Sequence, residues 1–550
     1  MKILIADDNP KYYNELRATL KRERPDDELV FASDALIAFS KLRNAVKQNH
    51  PFDLMILDEK MGGGDKDGTE LLRRLRDESI GTLPIIVFIT AFYNDLPADK
   101  IASSGIPISF ILDKLSPSNE ILLRAVLLIA REDGNRLKYH PKDIFGERFI
   151  RQILFEVDQI LNTPHPGYIA LDQQQRIGAL IRSYFTTLNM RKNWDADDVL
   201  ELTVFLGEGL GRIFNLPDEL IDMVRRFLNV EEVLYTIPRY RDHFFHQIKV
   251  FLLGFCILNS LNRNGRLYGT LLSSEKGIKV WFITSVFHDI GYPFEKIKAW
   301  LNHYISGVLQ SPADTSLDDL IVPMEFHWGA LFGRRYHWSH LQNIANTLCK
   351  TYSDNQPSKI SELITKLAHY VAQKPDHGLY SSLILQNFLR LRLDDEEVDP
   401  ISTAVALHNY EVSKIVRGVF GGHLSFDVDS LSFLLAYCDI AQDWGRSRLL
   451  SRGPKLDSIY GYNVFDNKNA NLYQTLPNNN CEICIELRYV YPFSEIEAID
   501  WREKVYEKYL ASVTNIWRSA RQGSGQVCFS IKYFQGESNN NRQHLDTLSF

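Results

Sequence analysis

Several polar residues in the N-terminal third of the chain stand at the ends of four short apolar runs. The runs are KILIADD, DLMILD, PIIVFIT and PISFILDK, and the polar residues are Asp7, Asp8, Asp58, Thr90 and Lys114. Apolar runs of this length, separated by helix-patterned stretches, are typical of buried parallel strands in a doubly wound sheet. The carboxyl ends of such strands line one crevice, so the sequence predicts that these polar side chains meet there.

The chemistry expected in this crevice follows from its charges. Three crowded carboxylates repel one another unless a hard divalent cation lies among them, and Mg²⁺ prefers oxygen ligands of this kind. Asp58 could then attack a phosphoryl group, because the cation and the Lys114 ammonium neutralise the developing negative charge. Thr90 could donate a hydrogen bond to the new phosphoryl oxygen and draw its loop inward. The alternative is a sheet whose strands simply end in acidic residues.

At these residues the segment resembles a response regulator receiver domain, over about residues 1–132. The resemblance implies a flavodoxin-like α/β fold with a five-stranded parallel sheet. It also implies phosphotransfer onto Asp58 from a sensor histidine kinase or a phosphotransfer protein. The Mg²⁺ ligands that it implies are Asp7, Asp8 and Asp58.

Three positions depart from the receiver pattern. Gly62 stands where proline is common, and Leu115 follows Lys114 where a proline is usual. The aromatic residue usually found three positions before the lysine is replaced by Ile111, with Phe110 beside it. We therefore expect phosphorylation of this segment, without the family's usual aromatic relay of the signal.

A second set of candidate residues lies in the middle of the chain. His243 and His246 are three positions apart, and His288 directly precedes Asp289. The other members of the set are His377, His408 and Asp439. Each lies on or beside an apolar helical stretch, where an ionisable side chain is costly unless it is paired or bound to a metal. A single histidine in such a place is usually a packed core residue, but the whole set favours a transition-metal site.

These segments resemble the HD-domain superfamily of metal-dependent phosphohydrolases, over roughly residues 238–450. The family pattern H…HD…D is matched by His246, His288, Asp289 and Asp439. The resemblance implies an all-α bundle with one divalent transition metal (Mn, Fe, Ni or Zn) on those four residues. A second metal would be held by Asp289, His377 and His408. The reaction class that it implies is hydrolysis of a nucleotide or another phosphoester by metal-activated water.

Several residues near this pattern are candidates for supporting or substrate-binding roles. His246 is preferred to His243 as the ligand because HQIKVFLLG has the family's spacing, and His243 is expected to face the substrate or support a ligand. Lys296 and Arg446 are candidates for holding the phosphate, with Arg448 as a further candidate. Tyr292 stands where cyclic-dinucleotide phosphodiesterases of the HD-GYP type carry a lysine. The histidines expected only to pack or to face solvent are His327, His337 and His340.

Length and composition limit the number of domains, the partners and the compartment that we expect for this protein. The chain of 550 residues is long enough for about three domains, and its net charge of −7 argues against a nucleic-acid partner. The best uninterrupted apolar stretch, Val250–Leu258, has the length of a buried helix, and no charged-then-apolar leader precedes the first strand. Six scattered cysteines suit a reducing cytoplasm. The pair Cys481 and Cys484 lies in a strand pattern, which favours half-buried cysteines over zinc.

The chain divides by pattern into four parts. After the receiver-like segment we expect a helical connecting region at 133–237, the metal-binding bundle at 238–450 and an α+β extension at 451–550. Within the extension, strands are predicted at Cys481–Tyr491 and Gln526–Phe534, and a helix at Ser494–Arg521. The stretches expected to be irregular are Gly453–Asn480 and the polar tail Gly536–Phe550.

The sequence therefore predicts a cytoplasmic two-component response regulator whose Asp58 phosphorylation controls a two-metal phosphohydrolase. One alternative is a signalling scaffold whose helical bundle binds a partner or nucleotide without turnover. Another is a di-iron oxygenase, since a few proteins of this fold use similar ligands for O₂ chemistry. A phosphorylation-favoured homodimer is also compatible with the sequence. No membrane contact is expected.

Overall fold

The computed structural model describes most of the chain, in ranges separated by gaps. The described residues are 1–62, 67–78, 83–91, 97–114, 120–130, 138–139, 145, 147–162, 171–190, 194–234, 243–263, 267, 271–293, 295, 334–352, 356–373, 376–421, 426, 428–442, 455–463, 481–491, 526–535 and 543–549. Two compact units are present. The first contains Met1–Pro141, Leu154–Pro166 and Ala170–Ile221, and the second contains Lys142–Ile153, Gly167–Ile169 and Asp222–Phe550.

The first unit is built on a five-stranded parallel sheet of order β2-β1-β3-β4-β5. Its strands are β1 Lys2–Ala6, β2 Glu28–Ala32, β3 Leu54–Asp58, β4 Ile85–Thr90 and β5 Phe110–Asp113. The helices between them are α1 Pro10–Glu23, α2 Ala35–Lys47, α3 Gly68–Asp77 and α4 Ala98–Ser104, and α5 Glu120–Ala130 follows β5. The central strands are apolar at every core position because both faces of the sheet are covered. The predicted parallel sheet is confirmed.

Two glycines fit the loop after β3 to its neighbours. Gly62 has a φ of +100°, which the proline common at this place in receivers cannot adopt. A Cβ on Gly68 would lie 2.4 Å from the carbonyl oxygen of Asp58, so only glycine lets α3 begin so close to the strand end. Gly68 therefore places the start of α3 at the edge of the sheet where the acidic residues lie.

Three helices that follow α5 in sequence belong wholly or partly to the first unit, and the last two of them pack against β5. These helices are α6 Glu147–Asn162, whose C-terminal part belongs to this unit, α7 Leu171–Asn189 and α8 Ala196–Ile213. The Thr187 hydroxyl donates to the Ser109 carbonyl oxygen, and the Phe110 and Phe205 rings meet edge to face at 5.4 Å. A short antiparallel pair, β6 Lys138–Tyr139 with β7 Trp194–Asp195, joins the same unit. The packing around the sheet thus extends past residue 132, where the sequence suggested a boundary.

The second unit is mainly helical. Its helices are α9 Asp218–Leu234, which begins in the first unit, α10 Phe244–Arg263, α11 Gly277–Phe287, α12 Arg334–Tyr352, α13 Pro357–Gln373, α14 His377–Leu389, α15 Asp395–Leu407, α16 Tyr410–Phe420 and α17 Ser430–Ala441. A 3-10 turn, Leu271–Ser273, precedes α11. Helices α10, α11 and α17 are buried over nearly all of their residues. Helices buried on every side form the centre of a bundle, and the candidate metal ligands lie on or beside these helices.

Helix α10 is the core helix of this unit. Its residues Phe244–Arg263 are long and apolar enough to cross a bilayer, but the apolar window is completely buried inside the protein. The apolar segment is therefore longer than the Val250–Leu258 stretch read from the sequence. A Cβ on Gly254 would lie 2.1 Å from the Trp281 ring, and the Trp281 Nε1–H donates to the Phe251 carbonyl oxygen at 3.0 Å. Glycine at this position allows α10 and α11 to cross closely enough to bring their metal-ligand candidates together.

The C-terminal strands form a four-stranded sheet of order β11-β10-β9-β8. Its strands are β8 Lys455–Asn463, β9 Cys481–Tyr491, β10 Gln526–Gln535 and β11 Gln543–Ser549. The two strands predicted here are confirmed, with β9 and β10 parallel. The prediction that Gly453–Asn480 and Gly536–Phe550 are irregular was wrong in part, because β8 and β11 pair along the two edges of the sheet. The helix predicted at Ser494–Arg521 lies outside the described residues.

Candidate phosphoacceptor pocket and candidate metal centre

The acidic residues of the first unit meet at the carboxyl edge of the sheet. Carboxylate oxygens of Asp7, Asp8 and Asp58 lie within 4.8 Å of one another. Asp7 and Asp58 are buried, whereas Asp8 is exposed. The Lys114 ammonium lies 2.7 Å from the Oδ2 atoms of both Asp7 and Asp58, and 4.8 Å from the centre of the Tyr12 ring. One lysine thus bridges the two buried acids, and the exposed acid leaves one side of the pocket open.

Strand register brings Thr90 to the same edge. Asp58 is paired with Ile89, and Thr90 is paired with Asp113, which directly precedes Lys114. The Thr90 carbonyl oxygen accepts a hydrogen bond from the Lys114 backbone N–H at 2.8 Å. Thr90 is buried at the end of its strand. The structure therefore brings all five residues predicted for this pocket to one place.

Electrostatics make the pocket receptive to a cation. Burial raises the pKa of Asp58 to about 6, with Lys114 lowering it and the Asp7 and Asp8 carboxylates raising it further. Burial also raises the pKa of Asp7 in spite of its contact with Lys114. A single ammonium therefore does not fully balance the buried carboxylates. A hard divalent cation bound by oxygen ligands fits this donor set.

The second set of candidate residues also converges, within the second unit. His246 Nε2 lies 2.8 Å from Asp439 Oδ1, and His288 Nε2 lies 3.4 Å from Asp289 Oδ2. On the other side, the Nε2 atoms of two further histidines face Asp289 Oδ1. They belong to His377, at 3.5 Å, and His408, at 3.4 Å. One carboxylate, that of Asp289, thus lies between two groups of imidazoles.

Helix ends supply most of these side chains. His288 follows the last residue of α11, His408 follows the last residue of α15, and His377 is the first residue of α14. His246 and Asp439 lie within α10 and α17. The ends of three helices thus bring His288, His377 and His408 to one place.

Gly291 brings the His-Asp pair close to α14. Its backbone N–H donates to the Ser381 hydroxyl at 2.7 Å, and a Cβ would lie 2.6 Å from the His377 carbonyl oxygen. Only glycine allows this approach of the two chain segments. The close approach places Asp289 within reach of His377.

Each of the four imidazoles is held from outside by an acceptor on Nδ1. The backbone carbonyl oxygens of Ser285 and Val405 accept from His288 and His408, at 2.8 and 2.5 Å. The other two acceptors are the Gln442 amide oxygen for His246 and, at 2.7 Å, the Glu295 carboxylate for His377. Since these acceptors fix the proton on Nδ1, each neutral ring turns the lone pair of Nε2 inward.

The Nε2 lone pairs face carboxylate oxygens, and both groups are electron-rich. A positive charge is therefore required between them. His288 Nε2 and His408 Nε2 are buried and have no hydrogen-bond partner among the described residues. Protonating all four rings would create several buried imidazolium ions around two buried acids, which is costly. Imidazole nitrogens with shared carboxylates are a donor set for divalent transition metals. The residues therefore fit the two-metal ligand set read from the sequence.

The charge of the two acids depends on the histidines around them. Burial alone would raise the pKa of Asp289, but the neighbouring His288, His243 and His408 lower it well below its usual range. The pKa of Asp439 is likewise raised by burial and lowered well below its usual range by His246 and His288. Both carboxylates are therefore ionised at neutral pH, as metal ligands must be.

His243 has a different role from His246. It directly precedes α10, and its Nδ1 lies 2.8 Å from Asp289 Oδ2. The Tyr292 ring stacks on the His243 ring with centroids 3.5 Å apart, and lies edge-on to the His377 ring at 5.5 Å. His243 is thus placed to donate to Asp289, and Tyr292 covers it. The assignment of His246, and not His243, as the inner ligand stays a prediction.

Most of the other predicted residues fall outside the part of the chain that the structure describes. Lys296, Arg446, Arg448 and His327 lie outside the described residues, and the His337 side chain is not described. His340 is buried, with its Nδ1 2.7 Å from the Gln386 side-chain oxygen, as expected for a packing histidine.

Two supporting residues were missed by the sequence analysis. Glu295 lies six positions after Asp289, and Gln442 lies three positions after Asp439. Both spacings place a polar group near a ligand helix, but neither spacing alone distinguishes a supporting acceptor from a surface residue. The partners of these two residues become visible only when the helices are assembled.

Comparisons with known proteins bear on the first unit. Residues 3–122 match the family model of the response regulator receiver domain. Residues 3–122 are a receiver domain. Among solved structures, the receiver domain of the Francisella response regulator 1452 is 26% identical, covering 24% of this chain and 97% of that chain, with a TM-score of 0.18. A fusion protein with amino acids 181–211 of the yeast Spc42 trimeric coiled coil is 20% identical, covering 23% of this chain and 75% of that chain, with a TM-score of 0.20.

Among curated proteins, none matches this chain. The TM-scores of the two structures are too low for those likenesses to carry an argument. The family match covers the receiver and supports a role in two-component signalling, with Mg²⁺ at Asp7, Asp8 and Asp58.

The raised pKa of Asp58 predicts a pH-dependent gain of stability in Asp58→Asn. In the metal-free protein above pH 6, the ionised buried carboxyl costs up to about 3 kcal/mol relative to the unfolded chain, since its pKa rises from 3.8 to about 6. Asp58→Asn removes this cost, so we expect its receiver to unfold at a higher temperature at pH 7.5. The gain should shrink between pH 6 and pH 4, where folded wild-type protein takes up the proton. Scanning calorimetry with a chelator measures both transitions.

The exposed residue Asp26 provides the control for this experiment. Asp26→Asn should change the unfolding temperature little, and by the same amount at both pH values. A gain for Asp58→Asn that is equal at pH 4.5 and pH 7.5 would contradict the proposed burial cost.

The two neighbouring histidines before and within α10 should respond differently to substitution. His246→Ala removes an inward nitrogen next to Asp439, so we expect it to lose a transition metal from the purified protein. His243→Gln keeps a donor toward Asp289 and should retain the metal. Metal analysis of the two variants, prepared in parallel with wild type, measures the difference. Equal metal content in the two variants would show that the ligand has been assigned wrongly.

Proposed function

We propose that the chain is a two-component response regulator in which phosphorylation of Asp58 controls a two-metal phosphohydrolase of the HD type. The supporting observation is the convergence of four imidazoles, each with its outer nitrogen hydrogen-bonded, on the buried Asp289 and Asp439 carboxylates. The order of these ligands along the chain, H…HD…D, agrees with the HD pattern. The substrate class is a nucleotide or another phosphoester.

The receiver supplies the input. Receiver domains typically interact with histidine kinases or phosphotransfer proteins, and the buried Asp58 is the acceptor in this pocket. A carboxylate oxygen of Asp58 forms a bond to phosphorus as the bond between phosphorus and the donor nitrogen breaks. Lys114 lies within 2.7 Å of Asp58 and neutralises charge that develops on the transferred group. Thr90, at the end of the adjacent strand, is placed to donate to the new phosphoryl oxygen.

The helical centre supplies the output chemistry. Divalent cations bound there would activate water and neutralise the phosphate oxygens. His246, His288, Asp289 and Asp439 would hold one cation, and Asp289, His377 and His408 would hold the other. His243 donates to Asp289 and keeps the shared carboxylate in a fixed orientation. The His377 side chain is 21% exposed while the other three imidazoles are nearly inaccessible, so substrate would approach from the His377 side.

The hydrolase proposal predicts turnover of phosphoesters by the full-length protein loaded with Mn²⁺. A panel of nucleoside triphosphates, cyclic dinucleotides and nitrophenyl phosphate mono- and diesters should contain a substrate. His288→Ala and Asp289→Ala should reduce its hydrolysis to background, because each removes a ligand from the buried centre. Released phosphate, opened nucleotide or nitrophenol is the measurement.

A matched variant at a packing histidine separates this effect from general damage. His340→Gln lies in the same unit and outside the centre, and it should keep most of the activity. Turnover that requires O₂, with a mixed-valence iron signal, would favour a di-iron oxygenase instead. Absence of transition metal from all preparations would favour a binding scaffold.

An ion pair connects the receiver pocket to a helix of the same unit. Asp113, next to Lys114 and paired with Thr90, lies 3.1 Å from the Arg212 guanidinium of α8. Arg212 also lies 3.7 Å from Asp218, the first residue of α9. A shift of Thr90 or Lys114 on phosphorylation would change the position of Asp113, and therefore this ion pair. We infer that the signal leaves the receiver along β5 toward α8 and α9.

This route predicts a selective effect of Arg212→Gln on regulation. A small phosphodonor should change the hydrolysis rate of wild-type protein, and Asp58→Asn should abolish that change. Arg212→Gln should accept phosphate normally, since Arg212 does not contact Asp58, but should respond more weakly. Phosphate incorporation and hydrolysis rate are measured on the same samples.

Arg176 offers a comparison, because it pairs with Asp172 within α7. Arg176→Gln should keep the full response to the phosphodonor. A full response in Arg212→Gln, or an equal loss in both variants, would rule out the route through Asp113.

A further inference from the structure

The four imidazoles of the helical centre differ in what holds their outer nitrogens. For His246, His288 and His408 the acceptor is a neutral amide or backbone carbonyl oxygen. For His377 it is the carboxylate of Glu295, at 2.7 Å from Nδ1. Only this histidine of the four is paired on its outer side with an ionised group among the described residues.

A carboxylate on Nδ1 changes the imidazole as a ligand. It draws the Nδ1 proton toward itself, which makes Nε2 more electron-rich and fixes the ring plane. Neutral carbonyl oxygens orient a ring but add less negative charge. His377 is thus the one of the four imidazoles whose outer hydrogen bond adds a negative charge, and its Nε2 faces Asp289 Oδ1 at 3.5 Å.

The group of ligands that includes His377 is expected to hold its cation less tightly than the other group does. It offers three protein ligands, Asp289, His377 and His408. The other, deeper group offers four, which are His246, His288, Asp289 and Asp439. The His377 side chain is 21% exposed, and the imidazoles of the deeper group are fully buried. A site with fewer ligands and more solvent access releases its cation more readily.

Glu295 also contacts the backbone at the start of α14. Its Oε2 atom lies 3.4 Å from the His377 backbone nitrogen, and Asp376 caps the same helix end by accepting from the Leu379 N–H at 2.9 Å. Negative charge at a helix N-terminus is stabilised by the unpaired N–H groups there. Both contacts of Glu295 therefore hold His377 in the orientation that points Nε2 toward Asp289.

We propose that Glu295 is a positioning residue that gives the outer cation position, formed by Asp289, His377 and His408, its affinity for a divalent metal. The proposal rests on the proposed two-metal function and adds to it the residue that decides whether the second position is filled. Loss of the carboxylate should weaken the outer position and leave the inner one, with His246, His288 and Asp439, occupied.

The test is a titration of the full-length protein with Mn²⁺, followed by electron paramagnetic resonance. Two Mn²⁺ ions that share Asp289 give a spin-coupled signal, and a single Mn²⁺ in the receiver pocket or the inner position gives an uncoupled one. Glu295→Gln should need about 10- to 100-fold more Mn²⁺ than wild type to develop the coupled signal, while the uncoupled signal of the inner position persists. Glu295→Asp keeps the charge and should fall between the two.

Glu362→Gln is the matched control, because Glu362 lies on α13 and pairs with Lys366 on the same helix. It should titrate as wild type does. Coupled signals at the same Mn²⁺ concentration in wild type, Glu295→Gln and Glu295→Asp would overturn the role of Glu295 and leave the two-metal function standing. No coupled signal in wild type at any concentration would overturn both.

Discussion

Two buried carboxylates, Asp289 and Asp439, cannot face the inner nitrogens of four neutral imidazoles without a positive charge between them. The outer nitrogens of these rings are already donating to Ser285, Val405, Glu295 and Gln442. Each neutral ring can therefore present only its Nε2 lone pair to the carboxylates. The packing of the central helices maintains this arrangement, and the close crossing at Gly254 and the approach at Gly291 bring the helix ends within reach.

The receiver pocket also contains buried carboxylates, but their charge is balanced in a different way. There the chain provides its own positive charge, because Lys114 lies between Asp7 and Asp58. One ammonium leaves the pKa of Asp58 raised, so the pocket remains able to take a divalent cation. In the helical centre the balancing charge belongs to protonated rings or to bound metal. The two sites therefore differ in how far their charge depends on something outside the chain.

Sequence patterns identified the groups that do chemistry better than they identified the groups that support them. The strand-end residues Asp7, Asp58 and Lys114 could be predicted because parallel strands in one sheet end at a common edge. Glu295 could not be predicted, because its role depends on the position of a helix more than eighty residues later, as the separation from His377 shows. Local composition also misled at the C-terminus, where the end of a stretch expected to be irregular and a polar tail form the edge strands β8 and β11. Pairing with a neighbouring strand outweighs weak local strand propensity.

The helices that pack on β5 have a consequence for how the receiver can be studied. Phe110 contacts Phe205, and the Ser109 carbonyl oxygen accepts from Thr187, so part of the surface of β5 is buried by residues far beyond position 132. A fragment cut at the limit of the family match would present these apolar side chains to water. Exposed apolar surface of this kind promotes self-association. Dimers of such a fragment would then reflect the cut itself, and the natural partner of that surface is carried by the same polypeptide.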